Sequence, residues 1–213
     1  MLTVHHLGVS QSDRIVWLCE ELELPYRLVR YKRDPVTHLA PADYKALHPS
    51  GTAPVITDDG LVLAESGAII DYIIAKHGGG RLALGPDHAN STDYRYWFHF
   101  ANSSMMASAM IGVVIPLVGG QEDSDTARLF RDRHDLAFDL VEQRLKDVDY
   151  FAGGQFTAAD IMMLFPLTTM RLSAPRDLSP YPNIRAYLQR IGARPAYRRA
   201  MEKADPNLIP NLT

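Results

Sequence analysis

The chain has 213 residues and a formal net charge of −3, with 46% hydrophobic and 22% charged residues. These values are typical of a soluble globular protein of one or two domains, and they give no electrostatic reason to expect nucleic-acid or membrane binding. We also expect no apolar run near the roughly 18 residues of a membrane-spanning helix. The first residues do not resemble a signal peptide, and one cysteine cannot form an internal disulfide, so we expect a cytoplasmic location.

The first part of the chain alternates between strand and helix patterns. Residues Thr3–Leu7 and 27–31 are rich in β-forming residues and predict two strands. Between them, apolar residues recur at helical spacing over 12–24, and Pro25 ends this helix. Residues 34–48 are polar and contain prolines, which predicts a loop with one short helix.

The stretch GTAPVITDDGLVLAES, residues 51–66, predicts a β-hairpin. Pro54 has no N–H for a strand ladder, so it must lie at a strand start or a sheet edge. Asp59 and Gly60, between two apolar runs, are a strong signal for a two-residue turn. A helix over Gly67–Lys76 follows, and the resulting βαβ and ββα units predict an α/β domain of the thioredoxin-like type.

The rest of the chain predicts helices throughout. Residues 78–86 are rich in glycine and break the α/β pattern, which predicts a linker. We therefore place a thioredoxin-like domain at residues 1–79, a linker at 80–88 and an all-α domain at 89–213. The expected helices cover residues 92–114, 126–148, 158–172, 184–191 and 195–204.

One helix start carries a recognisable motif. Thr157 and Asp160 stand three residues apart before an apolar run, which matches a capping box. Loss of Thr157 is expected to cost about 0.5–2 kcal/mol of stability. The motif predicts a folding role and no catalytic one.

Glu65 and Ser66 stand where the predicted hairpin meets the next helix. Free N–H groups and the helix dipole at such a start attract an anion. A carboxylate beside a hydroxyl at this place can hold the ammonium and carboxylate groups of one ligand, although both residues are also compatible with a simple helix cap.

These residues resemble the glutathione site of the glutathione S-transferases. The segment VHHLGVSQSDRIVWLCEELELPY is similar to the first strand, active-site turn and first helix of that family, and ALHPSGTAPV to its approach to the hairpin. FTAADIMM and ARPAYRRAME resemble two markers of its helical C-terminal domain. Within the family, a bacterial and fungal subgroup whose type member is a yeast enzyme is the most similar. The resemblance to this subgroup lies in the segments HHL…S…R…W, YKRDP and HFANSSM.

The resemblance implies a detoxification enzyme that binds glutathione as a co-substrate and joins its thiolate to a small apolar electrophile. In the family, the residue before a cis-proline pairs through its backbone with the cysteinyl part of glutathione. The Glu/Gln-Ser pair holds the γ-glutamyl end. By position, these roles fall on Ala53 before Pro54 and on Glu65 and Ser66.

Ser10 is the candidate catalytic residue, because it lies four positions before Arg14, as the corresponding hydroxyl does in serine-type transferases. A thiol of pKa about 8.5 needs about 2–2.7 kcal/mol of stabilisation to be mostly ionised at neutral pH. One hydrogen bond to a charged group supplies about 1.5–3 kcal/mol, so one hydroxyl is sufficient. Ser12 is the alternative, and either serine could instead be a loop or helix-cap residue.

Three further features limit the site. Thr52 replaces the longer polar or basic residue with which many relatives hold the glycyl carboxylate of glutathione, and His38 is either a substitute or an exposed loop residue. Cys19 lies within the first helix and is expected to be a buried, inert thiol. The histidines show no metal-ligand spacing, so we expect no metal.

Ser103, Ser104 and Met106 are the candidate wall of the electrophile pocket. In the family the corresponding helix faces the glutathione sulfur, and methionines suit an adaptable apolar site. The same residues could instead form a helix-pair core or a dimer interface. Because the family is usually dimeric, the resemblance also implies a homodimer, with no nucleic-acid or membrane partner.

Other interpretations stay open. The same fold hosts glutathione-dependent peroxidases, isomerases and dehalogenases, and also non-catalytic binding modules. Isomerase-type relatives carry a Ser-Ser-Cys run at the turn, whereas the turn here is Val9-Ser10-Gln11-Ser12. A binding module often lacks the Glu/Gln-Ser pair, which this chain keeps.

Overall fold

The computed structural model describes residues 1–121 and 123–213. The chain divides by packing into two compact units. The first unit comprises Met1–Ala83 and Ala193–Pro210, and the second comprises Leu84–Gly192 and Asn211–Thr213. The domain boundaries expected from the sequence stay a prediction. The packing adds that residues 193–210, which we placed in the helical domain, belong with the first unit.

The first unit contains a mixed sheet in the strand order β2-β1-β3-β4. Strand β1 runs parallel to β2 and antiparallel to β3, which pairs antiparallel with β4. The elements up to residue 83 are β1 (Thr3–Leu7), α1 (Asp13–Glu21), β2 (Arg27–Tyr31), α2 (Ala42–Lys45), β3 (Val55–Asp58), β4 (Leu61–Ala64) and α3 (Ser66–Lys76). The predicted hairpin is confirmed, with Asp59 and Gly60 at φ 46° and 88°, as a tight two-residue hairpin turn requires.

The strand register brings four chain segments to one end of this sheet. Leu7 pairs with Tyr31, so β1 and β2 end together. Val55, at the start of β3, pairs with His5 of β1 and with Ala64, the last residue of β4. The residues that follow β1, β2 and β4 therefore lie at the same end as the residues that precede β3.

Among the described residues of the second unit, 84–121, 123–192 and 211–213, the chain forms helices joined by loops. Its elements are α4 (Ser91–Phe100), a π-helical segment (Ala101–Met106), α5 (Ala107–Leu117), α6 (Asp125–Asp147), α7 (Ala158–Leu167), a 3₁₀ turn (Thr169–Leu172) and α8 (Pro182–Gly192). Aromatic rings fill its core, with Phe151 5.1 Å from both Trp97 and Tyr187 between ring centroids. The expected helical domain is confirmed.

One expected helix is shorter than its sequence pattern. The helix expected over 158–172 ends at Leu167, because Thr168 leaves the helical region at φ −126°, ψ −88°. Its start is as expected, since Asp160 accepts the N–H of Thr157 at 2.8 Å in a capping box. Burial raises the pKa of Asp160 to about 6, although it accepts hydrogen bonds.

The last helix, α9 (Pro195–Ala204), packs against α1 in the first unit. Trp17 and Tyr197 meet edge to face at 5.2 Å between ring centroids. The carboxylate of Glu21 pairs with Arg194 at 2.7 Å. These contacts fix the chain that follows α9, including Asp205, beside the start of α1.

The helical run from Ser91 to Leu117 corrects one expectation. By length and composition it could cross a membrane, because its most apolar 18 residues have a mean hydropathy of 1.5, and 33% of those residues are buried. Residues 100–118 contain no charged side chain, so our expectation of no apolar run near that length was wrong. A core helix of a globular protein meets the same criteria, and Trp97 and Phe100 of this run are buried.

Candidate functional site

The turn after β1 carries Ser10 and is held by a residue that sequence analysis missed. Val9 has a φ of 52°, in the left-handed region that a β-branched residue rarely adopts. The Arg33 guanidinium, which follows β2, donates to the carbonyl oxygens of Gly8 at 2.8 Å and Val9 at 3.1 Å. The only sequence signal for this clamp was the YKRDP motif.

Ser10 itself is 4% exposed. Its hydroxyl donates to the Leu7 carbonyl oxygen at 2.6 Å and lies 2.7 Å from the Ser12 hydroxyl. A hydroxyl carries one proton, so donation to a thiolate requires the Ser10 proton to turn away from Leu7. The catalytic role of Ser10 therefore stays a prediction.

Ser12 takes the N-cap position of α1, but its hydroxyl does not cap the helix. It accepts the N–H of Leu7 at 3.1 Å and lies 2.9 Å from Nδ1 of His6. The expected cap position is correct, whereas the side chain turns inward because buried partners compete for it.

The loop before β3 contains the second group of candidate residues. The Ala53–Pro54 peptide bond is cis. Pro54 is buried and Thr52 is exposed. Ala53 is half-buried and packs against an apolar cluster formed by Leu7, Tyr44, Val55 and Ala64. The Thr52 hydroxyl donates to Ser50 at 3.2 Å, so this short side chain already has a partner.

Glu65 and Ser66 form the third group, at the start of α3. Glu65 is exposed, with φ 72° and ψ 120°, which is an uncommon backbone conformation for a non-glycine residue. Such strain, of order 1–3 kcal/mol, concentrates at functional sites. Ser66 is 2% exposed and is the first residue of α3, so Glu65 and not Ser66 takes the N-cap position.

A buried arginine connects the turn to the start of α3. Arg14 is 1% exposed, donates to the side-chain oxygen of Gln11, and lies 3.4 Å from the Ser66 hydroxyl. Burial lowers the pKa of Arg14 to about 10, so the guanidinium stays charged at neutral pH. The positive charge reinforces the helix dipole of α3, and this end of the sheet therefore favours an anion.

Two other candidates lie away from this group. Cys19 is fully buried in α1, and burial raises the pKa of its thiol, as expected for an inert cysteine. His38 is an exposed residue of the 34–48 loop. Among the described residues no group of three or more His, Cys, Asp or Glu side chains could hold a metal ion.

In the second unit, the structure separates the three candidate pocket residues. Ser103 and Ser104 line a cavity of about 260 Å³ together with Phe100, Leu136 and Leu140. Met106 packs instead in an apolar cluster with Ala109, Phe165 and Met170. All three candidates lie in the π-helical segment, a type of irregularity that is frequent at functional sites.

Comparisons with known proteins agree with this geometry. The model of the glutathione S-transferase N-terminal domain matches residues 10–76, and that of the C-terminal domain matches residues 105–195. Glutathione S-transferase 3 of Schizosaccharomyces pombe is 34% identical, over 98% of this chain and 90% of its own length. The chain belongs to the glutathione S-transferase family. The resemblance inferred from the sequence motifs, including the yeast relative, is confirmed.

Two further members of the family cover nearly the whole chain. Glutathione S-transferase 1 of Saccharomyces cerevisiae is 30% identical over 96% of this chain and 95% of its own length. The crystal structure of a glutathione S-transferase from Actinobacillus pleuropneumoniae is 34% identical and has a TM-score of 0.88, covering 100% of this chain and 99% of that one. The expected transferase fold, a thioredoxin-like part followed by helices, is confirmed.

Proposed function

We propose that this protein is a glutathione transferase that stabilises the thiolate of glutathione and joins it to small apolar electrophiles. The observation that carries the proposal is the meeting of the Ser10 turn, the Ala53–Pro54 loop and the Glu65–Ser66 pair at one end of the sheet, above the charged Arg14. A tripeptide with a thiol between two carboxylate ends requires this combination of a polar turn, a backbone edge and an anion site.

Glu65 and Ser66 are the proposed partners of the γ-glutamyl end. The exposed Glu65 carboxylate can bind the ammonium group, while the α3 N-terminus and the Ser66 hydroxyl bind the neighbouring carboxylate. The backbone of Ala53, beside Pro54, is the proposed partner of the cysteinyl part.

For the glycyl carboxylate we propose Lys45 together with Thr52. Lys45 is exposed at the end of α2, and its side-chain carbons lie 3.8–3.9 Å from the place where a Cβ of Gly51 would stand. Its ammonium group is therefore within reach of a ligand beside Thr52, whose own hydroxyl is short and uncharged.

Ser10 is the proposed thiolate partner, assisted by the N-terminus of α1. The electrophile is proposed to contact the cluster around Met106, since methionine side chains adapt to substrates of different shape. Ser103 and Ser104 contribute a polar rim to the neighbouring cavity.

A homodimer and a cytoplasmic location complete the proposal. Leu129, Leu136 and Leu140 are 48%, 57% and 36% exposed and follow one face of α6 at helical spacing. An exposed apolar stripe of this kind suits association with a second copy. The lone, buried Cys19 is compatible with a reducing compartment.

The test is the ultraviolet thiolate difference spectrum on addition of glutathione at neutral pH. We expect a thiolate band in the wild type, and a loss of conjugation of at least tenfold in Ser10→Ala with glutathione affinity nearly unchanged. Ser173→Ala, an exposed serine in the second unit, is the matched control and should behave as the wild type. Glutathione binding without a thiolate band would indicate a binding module instead.

A further inference from the structure

A chain of hydrogen-bonding side chains leads from Ser10 into the first unit and ends at Asp205. The Ser10 and Ser12 hydroxyl oxygens are 2.7 Å apart, and the Ser12 oxygen lies 2.9 Å from Nδ1 of His6. Nε2 of His6 lies 3.1 Å from Oδ2 of Asp205. We call these four residues the Ser10–Asp205 relay.

The relay is enclosed by protein. Ser12 is 0%, His6 1% and Ser10 4% exposed, and the Asp205 side chain is 14% exposed. Polar groups at this depth are stable only when they have hydrogen-bond partners, and the relay supplies them to one another. A proton that enters at Ser10 can therefore travel inward without meeting solvent.

The far end of the relay is also attached to the turn. The Asp205 carboxylate accepts the N–H of Val9, and the Val9 nitrogen lies 3.3 Å from each of the two carboxylate oxygens. A Cβ at Gly8 would stand 3.3 Å from Oδ1, so the glycine permits this close approach. Asp205 thus holds both His6 and the backbone that carries Ser10.

The acceptor character of Asp205 sets the direction of the relay. A carboxylate only accepts hydrogen bonds, so Nε2 of His6 carries the proton in this pair. In the neutral imidazole Nδ1 is then the acceptor, and the Ser12 hydroxyl donates to it. The oxygen of Ser12 can then accept from Ser10 once the Ser10 proton turns from the Leu7 carbonyl oxygen to Ser12, and this orders the donors from Ser10 towards His6.

We propose that His6 accepts the proton of the glutathione thiol through Ser10 and Ser12. The S–H bond breaks as the thiol proton passes to the Ser10 oxygen. Ser10 passes its own proton to Ser12, and Ser12 passes its own to Nδ1 of His6. One S–H bond is lost and one N–H bond is gained, so the products are a thiolate and an imidazolium and no proton leaves the protein.

The final arrangement also favours the thiolate. Each hydroxyl has reversed its direction, so Ser10 now donates to the sulfur and Ser12 donates to Ser10. The imidazolium is compensated by the Asp205 carboxylate, which acts as a positioning residue. This role rests on the proposed function, because it needs a thiol beside Ser10.

The charged surroundings of His6 come from several elements. Arg33, after β2, interacts electrostatically with Asp205. Helix α1 begins with Asp13 and Arg14, beyond Ser12. His5, its neighbour on β1, instead contacts Tyr31 and Thr57 at 3.1 Å each, as expected for the opposite face of a strand.

The test counts protons during glutathione binding to the full chain. Calorimetry in buffers of different ionisation enthalpy gives the protons released per site, and the thiolate band gives the thiolate formed. We expect the wild type to form thiolate while releasing much less than one proton per thiolate. Release of one proton per thiolate would overturn the relay and leave the transferase proposal intact. Absence of a thiolate band would overturn the transferase proposal itself.

Variants separate the relay from a purely structural role. Ser12→Ala interrupts the relay but leaves the His6–Asp205 pair. His6→Gln keeps a donor for Asp205 but has no basic nitrogen that could take up the proton from Ser12. In both, we expect thiolate at neutral pH to fall at least tenfold, and the remaining thiolate to form with release of one proton each. Glu202→Gln, a substitution of an exposed residue on α9 away from the relay, should match the wild type.

The outcome does not depend on one variant folding. Thermal unfolding of each variant shows whether the fold is kept, and the wild-type proton count stands by itself. A folded Ser12→Ala protein with wild-type thiolate formation and proton count would contradict the proposal.

Discussion

The two units of this transferase use their side chains in opposite ways. In the first unit, buried polar groups form fixed, directional contacts, such as Arg14 with Ser66 and His6 with Asp205. In the second unit, the residues proposed to contact the electrophile or a second copy are apolar, as in the buried Met106 cluster and the exposed leucines of α6. Directional contacts suit one constant ligand, whereas apolar contacts tolerate exchange, as a transferase with one fixed and one variable substrate requires.

The largest effect is expected where the apolar stripe of the second unit is broken. Leu136→Glu places a charge at the most exposed leucine of α6 and should weaken the proposed homodimer at least 100-fold. Burying an unpaired charge costs several kcal/mol, which exceeds the roughly 2.7 kcal/mol that this factor represents. Sedimentation at micromolar concentration measures the change. Gln155→Glu, an exposed residue of the loop after α6, adds the same charge and should leave the dimer intact.

The next effect concerns the strained residue of the first unit. Glu65→Ala removes the proposed ammonium partner and should raise KM for glutathione about 10–100-fold, since a hydrogen bond to a charged group contributes about 1.5–3 kcal/mol. Glu65→Gly removes the same carboxylate but accepts φ 72° without strain, so it should raise KM equally and unfold at a higher temperature than Glu65→Ala. An unchanged KM in both variants would exclude Glu65 from the site.

A third prediction tests another buried polar group of the first unit. Asp58 is 2% exposed and accepts hydrogen bonds from Tyr72, Lys76 and His77 at 2.9, 3.0 and 2.7 Å. Burial alone would raise the pKa of Asp58, but these donors hold it well below its ordinary 3.8. Because the folded pKa is depressed, its stabilisation is present above about pH 4 and is lost as the pH falls further.

We therefore expect Asp58→Asn to lower the free energy of unfolding by about 1–3 kcal/mol at pH 7. The deficit should shrink when denaturant unfolding is repeated below pH 3. Asp59→Asn, the exposed neighbour at the hairpin turn, is the control and should change stability by less than about 0.5 kcal/mol. An equal deficit at both pH values would show that the charge of Asp58 is unimportant.

The smallest effect is expected in the apolar cluster around Met106 in the second unit. Met106→Leu nearly conserves volume, so it should cost less than about 1.5 kcal/mol of stability. KM for an apolar electrophile should change by up to about threefold, and KM for glutathione should not change. Met163→Leu, the same exchange in the core of α7, should leave both constants unchanged. A changed glutathione KM in Met106→Leu alone would contradict the division between the units.

Local sequence patterns determined much of the fold. The strands Thr3–Leu7 and 27–31 and the helix Pro195–Ala204 have the predicted limits, and the capping box at Thr157 begins its helix as expected. These patterns are the alternation of apolar and polar residues, the prolines and glycines that end elements, and the helix caps. Each acts over a few residues, so a single sequence is enough to detect it. The family motifs likewise identified the chain as a transferase without any knowledge of its tertiary contacts.

Tertiary structure alone decided the surroundings of the site. Asp205 reaches His6 across 199 positions of the chain, and no local pattern predicts such a contact. The inward turn of the Ser12 hydroxyl also depends on partners that only the folded chain supplies.

The same holds for the faces of the second unit. The π-helical segment changes the helical spacing, so Ser103 and Met106 lie on different sides although a regular helix pattern groups them. Propensity and spacing describe each element by itself. The packing of distant elements decides which side chains are buried together and which ones remain available to a ligand.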